Sequence, residues 1–334
     1  MILNEVGAEE FRLELGLLTV CKTWYEAAQP VLLKDLKLDA AALRLFPPQS
    51  QQLCQLLKTH VRTVSAQVTS FDPNATWEAD GTEFGANEDR LIDWSVEMNR
   101  RVEDLGILLS NNTGLTSFAL LVLPTRIPQS ASLAMLAYRG PWLHPRTITG
   151  LLQNLATHPL TSLDLKLRHS TTLSPEGRGS DAHICRAIAL HLPTIKHLHL
   201  CVERICSDAL NVMDQDITLP LTSLVIDLRL QQHSDWLEHS KPCIFPGEPY
   251  NYMFMKGAVD ALVKLAPHMT LARILYYHDF MVIPGTKQDV IAFDCLTREK
   301  TRIPANGADS WKTRGFLYGY EGDEDDNIMF LESL

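Results

Sequence analysis

Apolar and polar residues alternate along this chain with two different periods. Over residues 9–28, Phe11, Leu13, Leu17, Leu18, Cys21, Trp24 and Ala28 recur at spacings of three and four, with Arg12, Glu14, Lys22 and Glu26 between them. This is the signature of an amphipathic helix, with a possible bend at Gly16. After Pro30, Val31 to Leu38 reads as a compact apolar turn or short helix running into a strand. Helices are also predicted over Gln49–Thr59, Glu88–Ser110, Pro145–His158, Asp181–His191 and Lys256–Pro267. Val61 to Val68 alternates with period two, as a strand does, and residues 69–87, rich in Asp, Asn, Gly and Thr, read as a loop.

From residue 115 onward a helix, a turn and a strand recur, and the strand follows Leu-x-x-Leu-x-Leu. The strands are Leu115–Leu120, Leu160–Leu165, Ile195–Leu200 and Leu221–Ile226, with a looser fifth at Leu271–Tyr276. Three of them open on Leu-Thr-Ser. Alternate Leu positions put one face of each strand inward, where the preceding helix lays its apolar stripe. A single unit cannot bury that face, but neighbours stacked along a parallel sheet do. The alternative is a mixed α/β domain whose strands merely begin alike. Asp289–Pro304 reads as strand, turn, strand, an edge hairpin closing the array.

The face of these strands opposite the Leu set would carry Asp164, Lys166 and Arg168, then His197, His199 and Cys201, then Val225, Asp227 and Arg229. Repeat proteins bind partners through such a row, so Asp164, Lys166, Arg168, His197, His199, Asp227 and Arg229 are the candidate substrate contacts. His183, Cys185, His191, His197, His199, Cys201 and Cys206 form the densest set of potential metal ligands. They follow no fixed ligand spacing, and no metal or cofactor is expected. Nucleophile-elbow, Walker-type and dinucleotide-binding glycine motifs are absent. A hydrolase built on the His/Cys stretch is the only enzymatic reading left, and the chain is expected not to be an enzyme.

Length, at 334 residues, corresponds to roughly two domains at about 150 residues each. With 46% hydrophobic and 21% charged residues the chain is expected to fold. Its formal charge of −10 disfavours nucleic acid as a main partner. The charge is uneven. Residues 315–334 carry −6 and residues 1–45 carry −2, which leaves −2 for the middle, so the body is near neutral and the acidic tail reads as a solvated end. The first ten residues lack the basic and apolar regions of a signal peptide. The longest apolar runs, such as Phe118–Leu123, are far short of the ~20 residues that span a bilayer. Seven cysteines without a CxxC pair read as reduced thiols. A cytoplasmic or nuclear protein with no membrane contact is expected.

One segment is more specific. Leu17-Leu18-Thr19-Val20-Cys21-Lys22-Thr23-Trp24, followed by a small-residue turn, Pro30 and Val31-Leu32-Leu33-Lys34-Asp35-Leu36, resembles the second half of an F-box as it occurs in fungal F-box proteins. The resemblance covers about the first 40 residues. The later Leu-x-x-Leu-x-Leu strands look like the divergent leucine-rich repeats that follow the F-box in that family. It implies an α/β protein with a small N-terminal helical F-box-like module, residues 1–45, incomplete at its start because the family's Leu-Pro opening and full first helix do not precede Met1. An irregular leucine-rich-repeat-like solenoid with a parallel sheet would follow over residues 46–320, and an acidic tail over 321–334. The implied function is a substrate-recognition adaptor of an SCF (cullin–RING) ubiquitin ligase. Leu17, Val20, Cys21 and Trp24, with Ile2 and Leu3 from the first helix, would meet the Skp-type linker, and the repeat domain would hold a protein substrate. The alternative is an interaction scaffold whose degenerate F-box recruits no ligase.

Overall fold

The computed structural model describes residues 21–46, 51–68, 84–122, 143–167, 184–202, 205–212, 217–228, 251–277 and 290–303. Among them are seven α-helices: α1 (Lys22–Lys34), α2 (Ala40–Arg44), α3 (Gln51–His60), α4 (Phe84–Leu109), α5 (Pro145–Leu155), α6 (Ile184–Ala189) and α7 (Asn251–Leu265). Nine strands accompany them: β1 (Asp35–Leu38), β2 (Thr63–Val68), β3 (Ser117–Val122), β4 (Ser162–Leu167), β5 (His197–Val202), β6 (Ser223–Asp227), β7 (Leu271–Tyr277), β8 (Val290–Asp294) and β9 (Lys300–Ile303). A 3₁₀ turn, Ser207–Leu210, lies between β5 and β6.

All nine strands form one sheet, and their order in space is their order in the chain. β1 to β7 run parallel, whereas β7–β8 and β8–β9 pair antiparallel. Parallel crossovers are right-handed as a rule, and successive ones moving in one direction put the connecting helices on one face. The burial pattern agrees. Val64 and Ala66, Phe118 and Leu120, Leu163 and Leu165, Leu198 and Leu200, Leu224 and Ile226 share one core cluster with Leu57, Met98, Val102, Leu151, Ile188 and Val259 of the helices. Alternate positions of β2, β3 and β4 are buried in strict period two.

The recurrent Leu-Thr-Ser has a physical explanation. Leu115, Leu160 and Leu221 are fully buried, as is Ile195 at the same place in its unit. The threonine that follows sits where the chain turns from helix to strand, and its hydroxyl donates to the carbonyl one unit back. Thr116 Oγ1 donates to Arg62 O (3.1 Å), Thr161 Oγ1 to Thr116 O (3.0 Å), Thr222 Oγ1 to Lys196 O (3.0 Å) and Thr270 Oγ1 to Thr222 O (3.1 Å). The backbone N–H groups of Thr161 and Ser162 point to that same Thr116 carbonyl at 2.7 and 3.1 Å. Each threonine thereby splices one unit onto the last.

This ladder corrects the fifth unit. Ser223 pairs with Leu271, so Thr270, not Ala272, is the counterpart of Thr222, and the matching unit begins at Met269 rather than Leu271. Two further units precede residue 115. Val61 aligns with Leu115, and Leu33 aligns with Val61, because β1 and β2 pair in the register Asp35↔Thr63 and Leu36↔Val64. Of the helix expected over 9–28, residues 9–20 lie outside the described residues, and the remainder belongs to α1. Cys21 is extended (φ −166°, ψ 166°) and caps α1, its Sγ accepting from the Trp24 N–H at 3.4 Å, and the helix then continues through Pro30 to Lys34. The carbonyl that Pro30 leaves without a donor belongs to Glu26, on an exposed turn. β1, read from sequence as part of the N-terminal module, is the first strand of the common sheet.

Buried polar side chains close the helix-to-strand turns. Asn112 Nδ2 donates to Leu57 O (3.0 Å) and Val61 O (3.1 Å), while its Oδ1 accepts from Gly114 N (2.7 Å). In the next unit the His158 ring is buried beside the Leu109 backbone, and in the one after that His191 Nε2 meets Leu152 O at 3.0 Å. Since a carbonyl only accepts, Nε2 of His191 carries the proton. Its Nδ1 is buried without a partner. Burial pushes the pKa of both histidines below the ordinary value; the Leu109 and Leu152 carbonyls oppose this, and their mutual repulsion lowers His191 further.

Candidate functional site: the open face of the sheet

The face opposite the helices presents three rows of side chains running across the strands. The first is Thr63, Ser117, Ser162, His197, Ser223 and Leu271; the second is Ser65, Ala119, Asp164, His199, Val225, Arg273 and Asp294; the third is Gln67, Leu121, Lys166, Cys201, Asp227, Leu275, Ala292 and Thr301. Parallel pairing in register aligns residues that lie far apart in the chain. Mostly small, polar or β-branched groups alternate with the Leu set, with Leu121, Leu271 and Leu275 as the apolar exceptions.

The rows change character along the sheet. From β2 to β4 the side chains on this face are half-buried or exposed and mostly short and polar: Thr63, Ser65, Gln67, Ser117, Ser162, Asp164 and Lys166. From β5 onward most of the second and third rows is buried, while His197 stays exposed and Ser223, Leu271 and Arg273 are half-buried. His199 and Cys201, then Val225 and Asp227, fall below a tenth exposed, and Val225, Leu275, Val290, Ala292 and Ile303 form a second apolar cluster separate from the helix-side core, with Leu271 packed against it. Polar contacts bridge neighbouring strands at β4–β5 and at β7–β8. His199 Nδ1 lies 2.9 Å from Asp164 Oδ1, and Arg273 Nε lies 3.7 Å from Asp294 Oδ2. Thr222 Oγ1 is 3.4 Å from Nδ1 of the exposed His197.

Asp164, Lys166, His197, His199 and Asp227 thus share one face, as their spacing predicts. Within that set Asp164, Lys166 and His197 are accessible, and His199 and Asp227 are enclosed. Arg168 and Arg229 lie outside the described residues. Of the His/Cys-rich stretch, His183 lies outside the described residues, and the rest is split between the two faces of the sheet. Cys185 and His191 lie on the helix side, His199 and Cys201 on the open face, and no three His, Cys, Asp or Glu side chains among the described residues are placed to hold a metal ion. No described helix is long and apolar enough to cross a membrane.

Of the linker-docking candidates, Ile2, Leu3, Leu17 and Val20 lie outside the described residues, while Cys21 and Trp24 sit at the start of α1. Cys21 is exposed. Trp24 is half-buried, and its indole Nε1 is shielded with no hydrogen-bond partner. Tyr25, one residue on, is 43% exposed. Ala28 is the fully buried residue of the helix, so one turn of its apolar stripe is used on the chain's own body. Compared with family models, curated proteins and solved structures, the chain has no match.

The splicing threonines and Asn112 escaped the sequence reading. The threonines had a signal in the repeated Leu-Thr-Ser. Asn112 had none beyond a position three residues before Leu115.

Proposed function

We propose that the chain is an F-box-type substrate-recognition adaptor of an SCF ubiquitin ligase, with residues 1–38 docking the Skp-type linker and the open face of a leucine-rich-repeat-like solenoid holding a protein substrate. The observation that carries this reading is the run of seven parallel strands in chain order, each begun by the same apolar-x-x-apolar step and most of them spliced by threonine. Such an array suits recognition, because its binding rows are built from many strands without demanding a catalytic constellation. α1 passes directly into β1. A linker bound at α1 would therefore be joined to the substrate face without an intervening tether.

The mechanism is proximity. Holding a substrate beside a ubiquitin-loaded conjugating enzyme raises its effective concentration, and no chemistry is asked of this chain. The accessible part of the face carries hydroxyls, Gln67, Asp164, Lys166 and His197, close to balanced in charge. It therefore favours a partner read by shape and hydrogen bonds over a strongly charged one. A Trp with a shielded, unpartnered indole N–H beside an exposed Tyr is a suitable anchor for a helix-in-groove interface. The second reading, a scaffold without a ligase role, is favoured by the buried Ala28 and half-buried Trp24, which commit part of α1 to the body.

Capture of the purified Skp-type linker by the full chain tests the choice. Binding that Trp24→Ala weakens by about 30-fold or more, the loss of ~2 kcal/mol expected of an aromatic anchor, supports the adaptor. Absence of binding leaves the scaffold. Equal binding by wild type and Trp24→Ala would remove the docking role from this helix.

A further inference from the structure

Cys185 and Cys206 belong to neither binding surface, yet the fold brings them together. Cys185 is fully buried in α6, and its Sγ accepts the backbone N–H of Cys206 at 3.4 Å. Cys206 is half-buried and extended (φ −124°, ψ 172°) at the start of the 3₁₀ turn, which its side chain does not cap. Just beyond them, Arg186 Nε lies 3.4 Å from Asp208 Oδ2, so an ion pair holds the same two elements together. The sulfur of Cys185 contacts an atom only two bonds from Cys206 Cβ. A change of side-chain rotamer at Cys206 is therefore the movement that a bond between the sulfurs would require.

We propose that Cys185 and Cys206 are a modification site: a dithiol that a low-molecular-weight disulfide converts to an intrachain disulfide. The half-buried Cys206 reacts first. Its thiolate attacks one sulfur of a disulfide R–S–S–R, the S–S bond breaks, and one RS⁻ leaves and takes up a proton. Cys185 then loses its proton and attacks the Cys206 sulfur of the mixed disulfide, and the second RS⁻ leaves. Two protein thiols are oxidised and one small disulfide is reduced to two thiols. The resulting bond ties α6 to the turn before β6 and closes a loop that contains β5, the strand carrying His197, His199 and Cys201.

The experiment incubates the folded full chain with excess oxidised glutathione, alkylates the remaining thiols after unfolding, and maps disulfide-linked peptides by mass spectrometry. A Cys185–Cys206 link as the dominant product, reversed by dithiothreitol, is the expected result. In Cys185→Ser, which lacks the resolving thiol, glutathione should remain trapped on Cys206, while in Cys206→Ser the buried Cys185 should carry none. The wild-type measurement decides even where a variant fails to fold. The proposal is overturned if the wild type keeps both thiols free, holds a stable glutathione adduct on Cys206 beside an alkylatable Cys185, or links either cysteine mainly to another.

Discussion

Replacing Asn112 by Ala removes a side chain that is 1% exposed and makes two hydrogen bonds to the preceding unit, at 3.0 and 3.1 Å, and one within its own turn, at 2.7 Å. Each such bond contributes about 1 kcal/mol net, and a buried group left without a partner costs about 1–3 kcal/mol. The Leu57 carbonyl keeps the Val61 N–H at 3.2 Å, so the groups stranded are the Val61 carbonyl and the Gly114 N–H. The expected loss is therefore about 3 kcal/mol, well above the ~1 kcal/mol typical of a substitution. Urea unfolding should show a lower midpoint at unchanged slope. Hydrogen exchange should locate the weakening at the α3–β2 and β2–β3 junctions. Asn112→Asp sharpens the test, because a carboxylate keeps the acceptor for Gly114 but faces two carbonyl oxygens. That environment raises the carboxyl pKa in the folded state above its unfolded value. The penalty relative to wild type should be relieved at low pH and should grow as pH rises through the folded-state pKa. A loss below about 1 kcal/mol for Asn112→Ala, or a pH-independent gap for Asn112→Asp, would refute the splicing role.

Two further predictions concern the same turns. The pKa values of His158 and His191 are lowered by burial, so the folded state binds fewer protons than the unfolded state below the ordinary value of 6.5. Their contribution is complete above that value and is lost progressively as pH falls below it through the lowered folded-state pKa. The urea midpoint should thus drop between pH 7.5 and 5.5, with a shallower drop in His191→Asn; an unchanged pH slope in that variant would show that His191 is not the proton acceptor. A Cβ at Gly114 would lie 1.1 Å from Arg62 Nη1. Gly114→Ala should cost about 1 kcal/mol by displacing the guanidinium, whereas in an Arg62→Ala background the same change should be neutral or slightly stabilising. Equal costs in both backgrounds in a double-mutant cycle would contradict this contact.

Strand positions were legible because period-two Leu sets leave little choice of face. Leu163, Leu165, Leu198 and Leu200 all lie where the pattern put them. Leu33-Lys34-Asp35-Leu36-Lys37-Leu38 carries the same pattern in full, but Pro30 suggested a break and separated that segment from its helix. Met269-Thr270 was hidden by the apolar Leu271, which draws the register two residues late, although Thr270 holds the diagnostic hydroxyl. The candidate face was legible as a set and illegible in depth. Spacing places His199 and Asp227 beside Asp164 and Lys166, but their burial depends on whatever else lies against β5 and β6, which strand periodicity does not encode.

The two ends of the sheet order bear on how the molecule avoids its own copies. A parallel array built from one repeated step could in principle keep adding strands, drawn from another molecule once its own chain is exhausted. Here both outermost strands are only four residues long, and each carries exposed basic side chains, Lys37 on β1 and Lys300 and Arg302 on β9. At the second end the strand direction reverses at β8 and again at β9, so β9 runs the same way as β1–β7, and its shortness and charge, not its direction, work against pairing with a neighbour's β1. Short, charged outer strands thus disfavour edge-to-edge addition, and replacing Lys37, Lys300 and Arg302 together by Thr is expected to make the protein aggregate more readily.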